Sequence, residues 1–182
     1  VRAHNDMRFI ARTLNSIAEQ DCALPFRVYV CDDGSTDGTA EALRTFPDVV
    51  SIARPAGKYR PGRTLNHMVR NSEGDVVVFC NADAPPVGRD WLQRLISPLL
   101  DGTADATFAS QLPRPNAQWL VRKDHLRAFG DGTISAKWDR FFSLASSAAL
   151  RSDLLGVPFD ESLRYSEDVD WVRRRKPRVV YV

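Results

Sequence analysis

Hydrophobic positions along the first two thirds of the chain fall into two alternating periods. Ile10, Leu14, Ile17 and Ala18 stand at i, i+4, i+7 and i+8, the spacing of one helix face. Residues 26–31 read as a strand, closed by the turn Asp32-Asp33-Gly34-Ser35-Thr36-Asp37-Gly38, and a helix through Ala40 and Leu43 follows. Residues 49–53 give another strand, leading into a basic loop over 54–62. A helix carrying Leu65, Met68 and Val69 precedes the apolar strand over 76–80. After a turn over 81–88, Trp91, Leu92, Leu95, Ile96 and Leu99 mark a further helix, which Pro98 kinks or shortens. Residues 106–112 read as a fourth strand. This alternation predicts an α/β fold of parallel strands joined by crossover helices. It stops at Pro113-Arg114-Pro115, and the rest reads as helical pieces ending in a short strand over 178–182.

The 182 residues suffice for one domain. With 43% apolar and 26% charged residues, nine Phe and four Trp, the chain can build a core and is not disordered. Its net charge of +2 is too balanced for a protein that binds by neutralising nucleic-acid phosphates, so no nucleic-acid partner is expected. The longest apolar run, residues 76–80, is far below the roughly 18 residues that suggest a membrane span. Cys22, Cys31 and Cys80 are odd in number and lack CxxC spacing, and two of them end strand-like runs. They read as free thiols, mostly buried, rather than disulfides or zinc ligands. A cytoplasmic location follows, with a peripheral place at the inner membrane compatible with it. The N-terminus has neither an initiator Met nor a hydrophobic signal core and starts as if inside a strand, so we expect a piece of a longer chain.

In open α/β sheets, ligands bind beyond the carboxyl ends of the strands. Three polar clusters fall there: His4-Asn5-Asp6, Asp32-Asp33 and Asn81-Ala82-Asp83. A fourth, Glu167-Asp168-Val169-Asp170, opens a predicted helix far along the chain. A carboxylate at a strand end can accept hydrogen bonds from a base or ribose. One beside a diphosphate can hold a divalent cation, which prefers oxygen ligands. Lys58, Arg60 and Arg63 are candidates to meet phosphates from a neighbouring loop. Each cluster also has a purely structural reading. Asp32-Asp33-Gly34 can be a strand-ending turn with Asp37 capping the next helix, and Asn81-Ala82-Asp83 a loop before two prolines. The acidic cluster suits a helix dipole with Ser166 as cap, and the basic loop suits solvent. His4 and His67 read as ordinary polar residues, and Trp138 and Trp171 as core or wall.

Taken together, these stretches resemble a known family. The run YVCDDGSTDGTAEAL is similar to the first nucleotide-binding motif of family-2 glycosyltransferases with the GT-A fold. RAHND before the first helix, GRTLN before the third strand and EGDVVVFCNADAPP follow in the family's order, with NAD at the place of its DxD motif. SSAALRSDLLGVPFDESLRYSEDVDW resembles the acceptor-side segment, which ends in a Glu-Asp pair. The similarity covers nearly the whole chain, and its flavour is that of bacterial polysaccharide enzymes, including rhamnosyltransferase-like members.

The resemblance implies one GT-A domain over 1–182. Residues from 1 to about 112 would form the nucleotide-sugar half, with a mostly parallel sheet flanked by helices. Residues from about 113 to 182 would form an irregular helical acceptor-side half, cut short at its C-terminal end. Asp33 would contact the base, with Asp32 in support. Ala3, His4 and Asn5 would line the base and ribose pocket, and Lys58 and Arg63 would lie on the phosphate side. Asn81 and Ala82 would face the sugar and diphosphate, and Asp83 would coordinate Mg²⁺ or Mn²⁺. Asp168 would act as general base with Glu167 beside it. The implied reaction is inverting transfer from a UDP-, GDP- or dTDP-linked sugar to a carbohydrate or lipid-linked acceptor. Four departures stand out: Asn81 replaces the first acid of DxD, Arg2-Ala3 replaces Pro-Thr or Pro-Val, the helix after Trp171 is short because Arg173-Arg174-Arg175-Lys176 runs into Pro177, and the chain stops before a segment that often supplies a metal-binding His. They leave open a nucleotide-sugar-binding module without turnover. A sugar nucleotidyltransferase is a weaker rival, since no Gly-rich basic loop lies near the N-terminus.

Overall fold

The computed structural model describes residues 1–134, 137–138 and 141–182. Its elements in chain order are β1 (Arg2–Ala3), α1 (Ile10–Ala18), β2 (Val28–Asp32), α2 (Thr39–Leu43), β3 (Val49–Ser51), α3 (Pro61–Arg70) and β4 (Val76–Cys80). Then come α4 (Trp91–Leu100), β5 (Ala106–Phe108), α5 (Trp119–Phe129), β6 (Ser146–Leu150), α6 (Arg151–Gly156), α7 (Glu167–Arg175) and β7 (Val179–Tyr181). Strands β1, β2 and β3 pair in parallel, with Ala3 opposite Asp32 and Val30 opposite Ser51. A parallel bridge from Arg2 to Asn81 joins β1 to the end of β4. The sheet continues as β4-β6-β5-β7, with β6 antiparallel to both neighbours and β7 parallel to β5. The result is an α/β fold with a mostly parallel sheet.

The early alternation is present as read, with shorter strands. Helix α1 buries Ile10, Leu14 and Ile17, and Thr13 beside them donates its hydroxyl to the carbonyl of Ala82 at 2.6 Å. That bond fastens α1 to the turn that ends β4. Pro98 lies inside α4 without ending it. Two readings are corrected. The second half is not only helical pieces before its final strand, because β6 runs through its middle and separates β4 from β5. The sequence Ser-Ser-Ala-Ala-Leu carries neither alternation nor β-branched residues, yet all but Leu150 are buried because both edges are paired and both faces covered. Ser166 does not cap α7 with its side chain; it sits in the left-handed region at φ 62°.

Helix α3 explains the GRTLN stretch. A Cβ on Gly62 would stand 2.5 Å from the carbonyl oxygen of Asp160, so only glycine admits this approach. One turn on, buried Asn66 donates to the carbonyl of Phe159 and accepts from its N–H, both at 2.9 Å. These contacts hold the segment before α7 against the N-terminal half. Trp171 of α7 is fully buried between Phe142 and Phe159, and its indole N–H donates to Val157 O at 2.8 Å. Burying one such side chain contributes roughly 1.5–3 kcal/mol. The core thus sets the position of the first turn of α7.

Candidate active site

The carboxyl ends of β1, β2 and β4 lie side by side, as the register of Ala3 with Asp32 and the bridge from Arg2 to Asn81 require. The first two clusters form one interlocked turn there. Asp32 accepts from the backbone N–H and the hydroxyl of Ser35, a bond set internal to the loop. Asn5, left-handed at φ 56°, accepts from Thr36 N at 2.8 Å, and its own N–H donates to the Ser35 hydroxyl at 2.8 Å. His4 Nδ1 lies 3.1 Å from the Asp33 carbonyl, and Ala3 is buried beneath. Asp37 takes the N–H and the hydroxyl of Thr39, so it caps the start of α2 from one position before Gly38. Asp33 pairs with Arg54 at 3.1 Å, and its side chain is only 14% exposed beside that guanidinium.

At the end of β4, Ala82 is buried and Asp83 is about half exposed, 3.0 Å from Arg114. Arg114 also lies over the Phe9 ring, 4.3 Å from its centroid. Asp6 lies near enough to feel the charge of Asp83. Burial holds the Asp6 carboxyl above its ordinary pKa, against the N–H it accepts from His4, and Asp83 and Asp37 add to the rise. Lys58 is exposed, and Arg63 is half-buried at the first turn of α3, its guanidinium beside Gly57.

Arg2 joins the cluster at the end of β4 to the one at the start of α7. Its guanidinium donates to Asn81 Oδ1 at 3.1 Å and to Glu167 Oε1 at 3.3 Å, the two partners lying 79 and 165 residues away. The Glu167 side chain is 10% exposed, so this pair is largely shielded from water. Tyr59 meets the same guanidinium and lies within the field of Glu167 and Asp33; burial pushes its phenol above the ordinary range. Beside Glu167, Asp168 is largely withdrawn from solvent. Burial is the main cause that raises its pKa, and Glu167 adds to it, while the N–H of Val169 at 2.9 Å and of Leu144 oppose the rise. Asp170 turns away to Arg174, 2.7 Å distant, and takes no part.

The sequence reading therefore named residues that the fold brings together, but missed Arg2, Tyr59 and Arg54 as members of the group. Each acts through a partner remote in sequence, so no local spacing marks it. The signal that existed was Arg2 itself, a charge at a strand end where the resembling motif has proline. Of the other residues weighed, His67 is an ordinary polar residue, its Nε2 3.0 Å from the Ala53 carbonyl, and Trp171 is core. Cys31 and Cys80 are buried free thiols, pushed up by burial to about 11 and about 12 respectively, and Cys22 is free and half-buried.

Comparison with known proteins decides the family. The profile of glycosyl transferase family 2 matches residues 1–157. The chain belongs to that family. The O-antigen chain rhamnosyltransferase WbaN of Salmonella anatum is 29% identical over 110 residues, covering 60% of this chain and 34% of that protein. A mannosyltransferase from Pyrobaculum calidifontis, solved with GDP-Man and Mn²⁺, superposes with a TM-score of 0.77 at 26% identity, over all of this chain and 52% of that one. Staphylococcus aureus TarS 1–349 with UDP-GlcNAc gives a TM-score of 0.71 at 19% identity, over all of this chain and 54% of that one. These neighbours carry the GT-A fold, and this family-2 chain shares it. It spans between 15% and 34% of the length of the curated relatives it matches.

Proposed function

We propose that this family-2 chain carries the donor site and catalytic carboxylates of an inverting transferase. The enzyme moves a sugar from a nucleoside-diphosphate donor to an acceptor hydroxyl in bacterial polysaccharide or glycoconjugate synthesis. The observation that carries the reading is the Arg2 guanidinium, which holds Asn81 at the end of β4 and Glu167 at the start of α7 in one group. One domain then divides its work, with residues 1 to about 112 gripping the nucleotide and 113 to 182 facing the acceptor. Asp33 receives the base, supported by the Asp32 turn, while Ala3, His4 and Asn5 wall the ribose. Lys58 and Arg63 lie toward the phosphates, and Asn81 and Ala82 toward the sugar. The relatives with stated activities are transferases, which argues against a binding module without turnover.

Asp83 is the carboxylate for Mg²⁺ or Mn²⁺. Among the described residues no three His, Cys, Asp or Glu side chains converge on one point. That donor set fits a cation completed by phosphates, since such sites commonly take one or two carboxylates plus the substrate. Bound there, the metal would neutralise charge on the leaving diphosphate. Asp83 would hold the cation in place of its pairing with Arg114, while Asp168 takes the proton of the acceptor hydroxyl, whose oxygen bonds the anomeric carbon as the bond to the diphosphate breaks.

A base must be ionised to work, and the raised pKa of Asp168 makes it a stronger base at the same time. Asp168→Asn should bind donor nucleotide nearly as the parent does and lose transfer by at least ~10²-fold, the lower end for loss of general-base catalysis. Calorimetry and a transfer assay on that one variant test the assignment. Near-normal transfer would remove Asp168 from the mechanism.

A further inference from the structure

We propose that helix α5 is a docking surface for an anionic lipid bilayer. No residue of this helix is buried. Trp119, Leu120, Val121 and Leu126 are exposed by 64, 65, 42 and 63%, and Leu112 and Ile134 on either side by 69 and 44%. These six are among fifteen large apolar side chains exposed over the described residues, gathered into 23 consecutive positions. Trp119 and Leu126 share one face of the helix, and an exposed apolar face of this kind marks an interaction site. The inner side of α5 is fixed: Phe129 packs on Phe141, and the Tyr181 hydroxyl donates to the carbonyls of Phe129 and Gly130. The outer side faces water with Trp119, Lys123 and Leu126 at i, i+4 and i+7, and Arg127 a turn beyond Lys123.

Charge identifies the partner. Residues 112–134 hold four basic and two acidic side chains; with Arg114 paired to Asp83, Arg122, Lys123 and Arg127 still outnumber Asp124 and Asp131. The bases stand among the apolar groups: Lys123 Nζ is 4.0 Å from the centroid of the Trp119 ring. A helix with Trp and Leu beside Lys and Arg suits the interface of a bilayer, where aliphatic groups enter the acyl boundary and cations meet anionic headgroups. A soluble polyanion would use the bases but leave the leucines wet. A second copy of this face would set like charges against each other. Arg114, at the start of the same segment, reaches Asp83 at 3.0 Å. Docking therefore brings the crevice to the bilayer, where, if the transferase reading holds, a lipid-linked acceptor is met.

Co-sedimentation tests the surface, using vesicles of phosphatidylglycerol and phosphatidylcholine in equal parts and vesicles of phosphatidylcholine alone. The chain should sediment with the anionic vesicles and not the zwitterionic ones, and high salt should release it. Lys123→Glu with Arg127→Glu, and separately Trp119→Ser with Leu126→Ser, should each weaken partitioning by about tenfold or more. Melting temperature and nucleotide affinity, measured on the same samples, should stay at the parent values, which separates this surface from the donor site. Absence of binding to anionic vesicles, or binding undiminished in both double variants, would overturn the proposal. So would a concentration-dependent dimer abolished by Trp119→Ser, which would give the face to a second copy.

Discussion

Arg2 supplies a charge that two partners share, while Asp168 is a carboxyl whose burial raises its pKa. The Arg2 guanidinium is shared between Asn81 and the shielded carboxylate of Glu167. Arg2→Ala strips that carboxylate of its partner and should destabilise the fold by about 1–3 kcal/mol, less than for a fully buried pair because both ends retain some exposure. Urea unfolding measures it, and an unchanged midpoint would reduce Arg2 to a surface contact. Asp168 should respond in the opposite direction. Its pKa is higher folded than unfolded, so the native state holds the proton more tightly. Its contribution is therefore favourable below the ordinary carboxylate pKa of about 4 and is lost as pH rises through the raised value. At pH 7 the ionised group opposes folding, so Asp168→Asn should raise the melting temperature there, with the gain closing toward pH 4. A carboxylate that merely served the helix dipole would instead lose about 0.3–1 kcal/mol on substitution. Thermal melts across pH separate the two by sign.

At the scale of elements, α3 and the segment before α7 set the position of α7 relative to the N-terminal half. Asn66 replaces a strand partner for Phe159 by satisfying both its N–H and its carbonyl. Asn66→Ala should cost about 2–3 kcal/mol, because two buried backbone groups lose their partners, and should lower transfer more than nucleotide affinity. Equal loss of both would mean that α3 does not position α7. The elements legible in the sequence were those whose burial is one-sided: α1, α3 and α4 show their period because one face alone is covered. Strand β6 was not legible, since a central antiparallel strand of Ser and Ala buries everything and alternates nothing. The carboxylates at the ends of β2 and β4 were legible because a turn after a strand has a composition of its own. Their partners Arg54 and Arg114 were not, nor was Arg2 as the partner of Asn81 and Glu167, since only the fold brings these groups near.

Over the whole molecule, the polar groups of β1, β2, β4 and α7 meet at one end of the sheet, as expected for a ligand crevice in an open α/β fold. Family membership and fold agree with that end being a nucleotide-sugar site. Asp33, paired with Arg54 at the end of β2, should matter to the base alone: Asp33→Ala should weaken nucleotide binding at least several-fold even without metal, as loss of one charge-assisted hydrogen bond implies. Equal affinity in the variant would move the base elsewhere. The central claim, a donor site completed by a weakly held cation, is tested most directly by calorimetry of UDP, GDP and dTDP with and without Mn²⁺, alongside Mn²⁺ alone. One of the three nucleotides should bind, Mn²⁺ should tighten it, and Mn²⁺ without nucleotide should bind weakly. Tight Mn²⁺ binding to the free chain, or no binding of any nucleotide with metal present, would contradict the account.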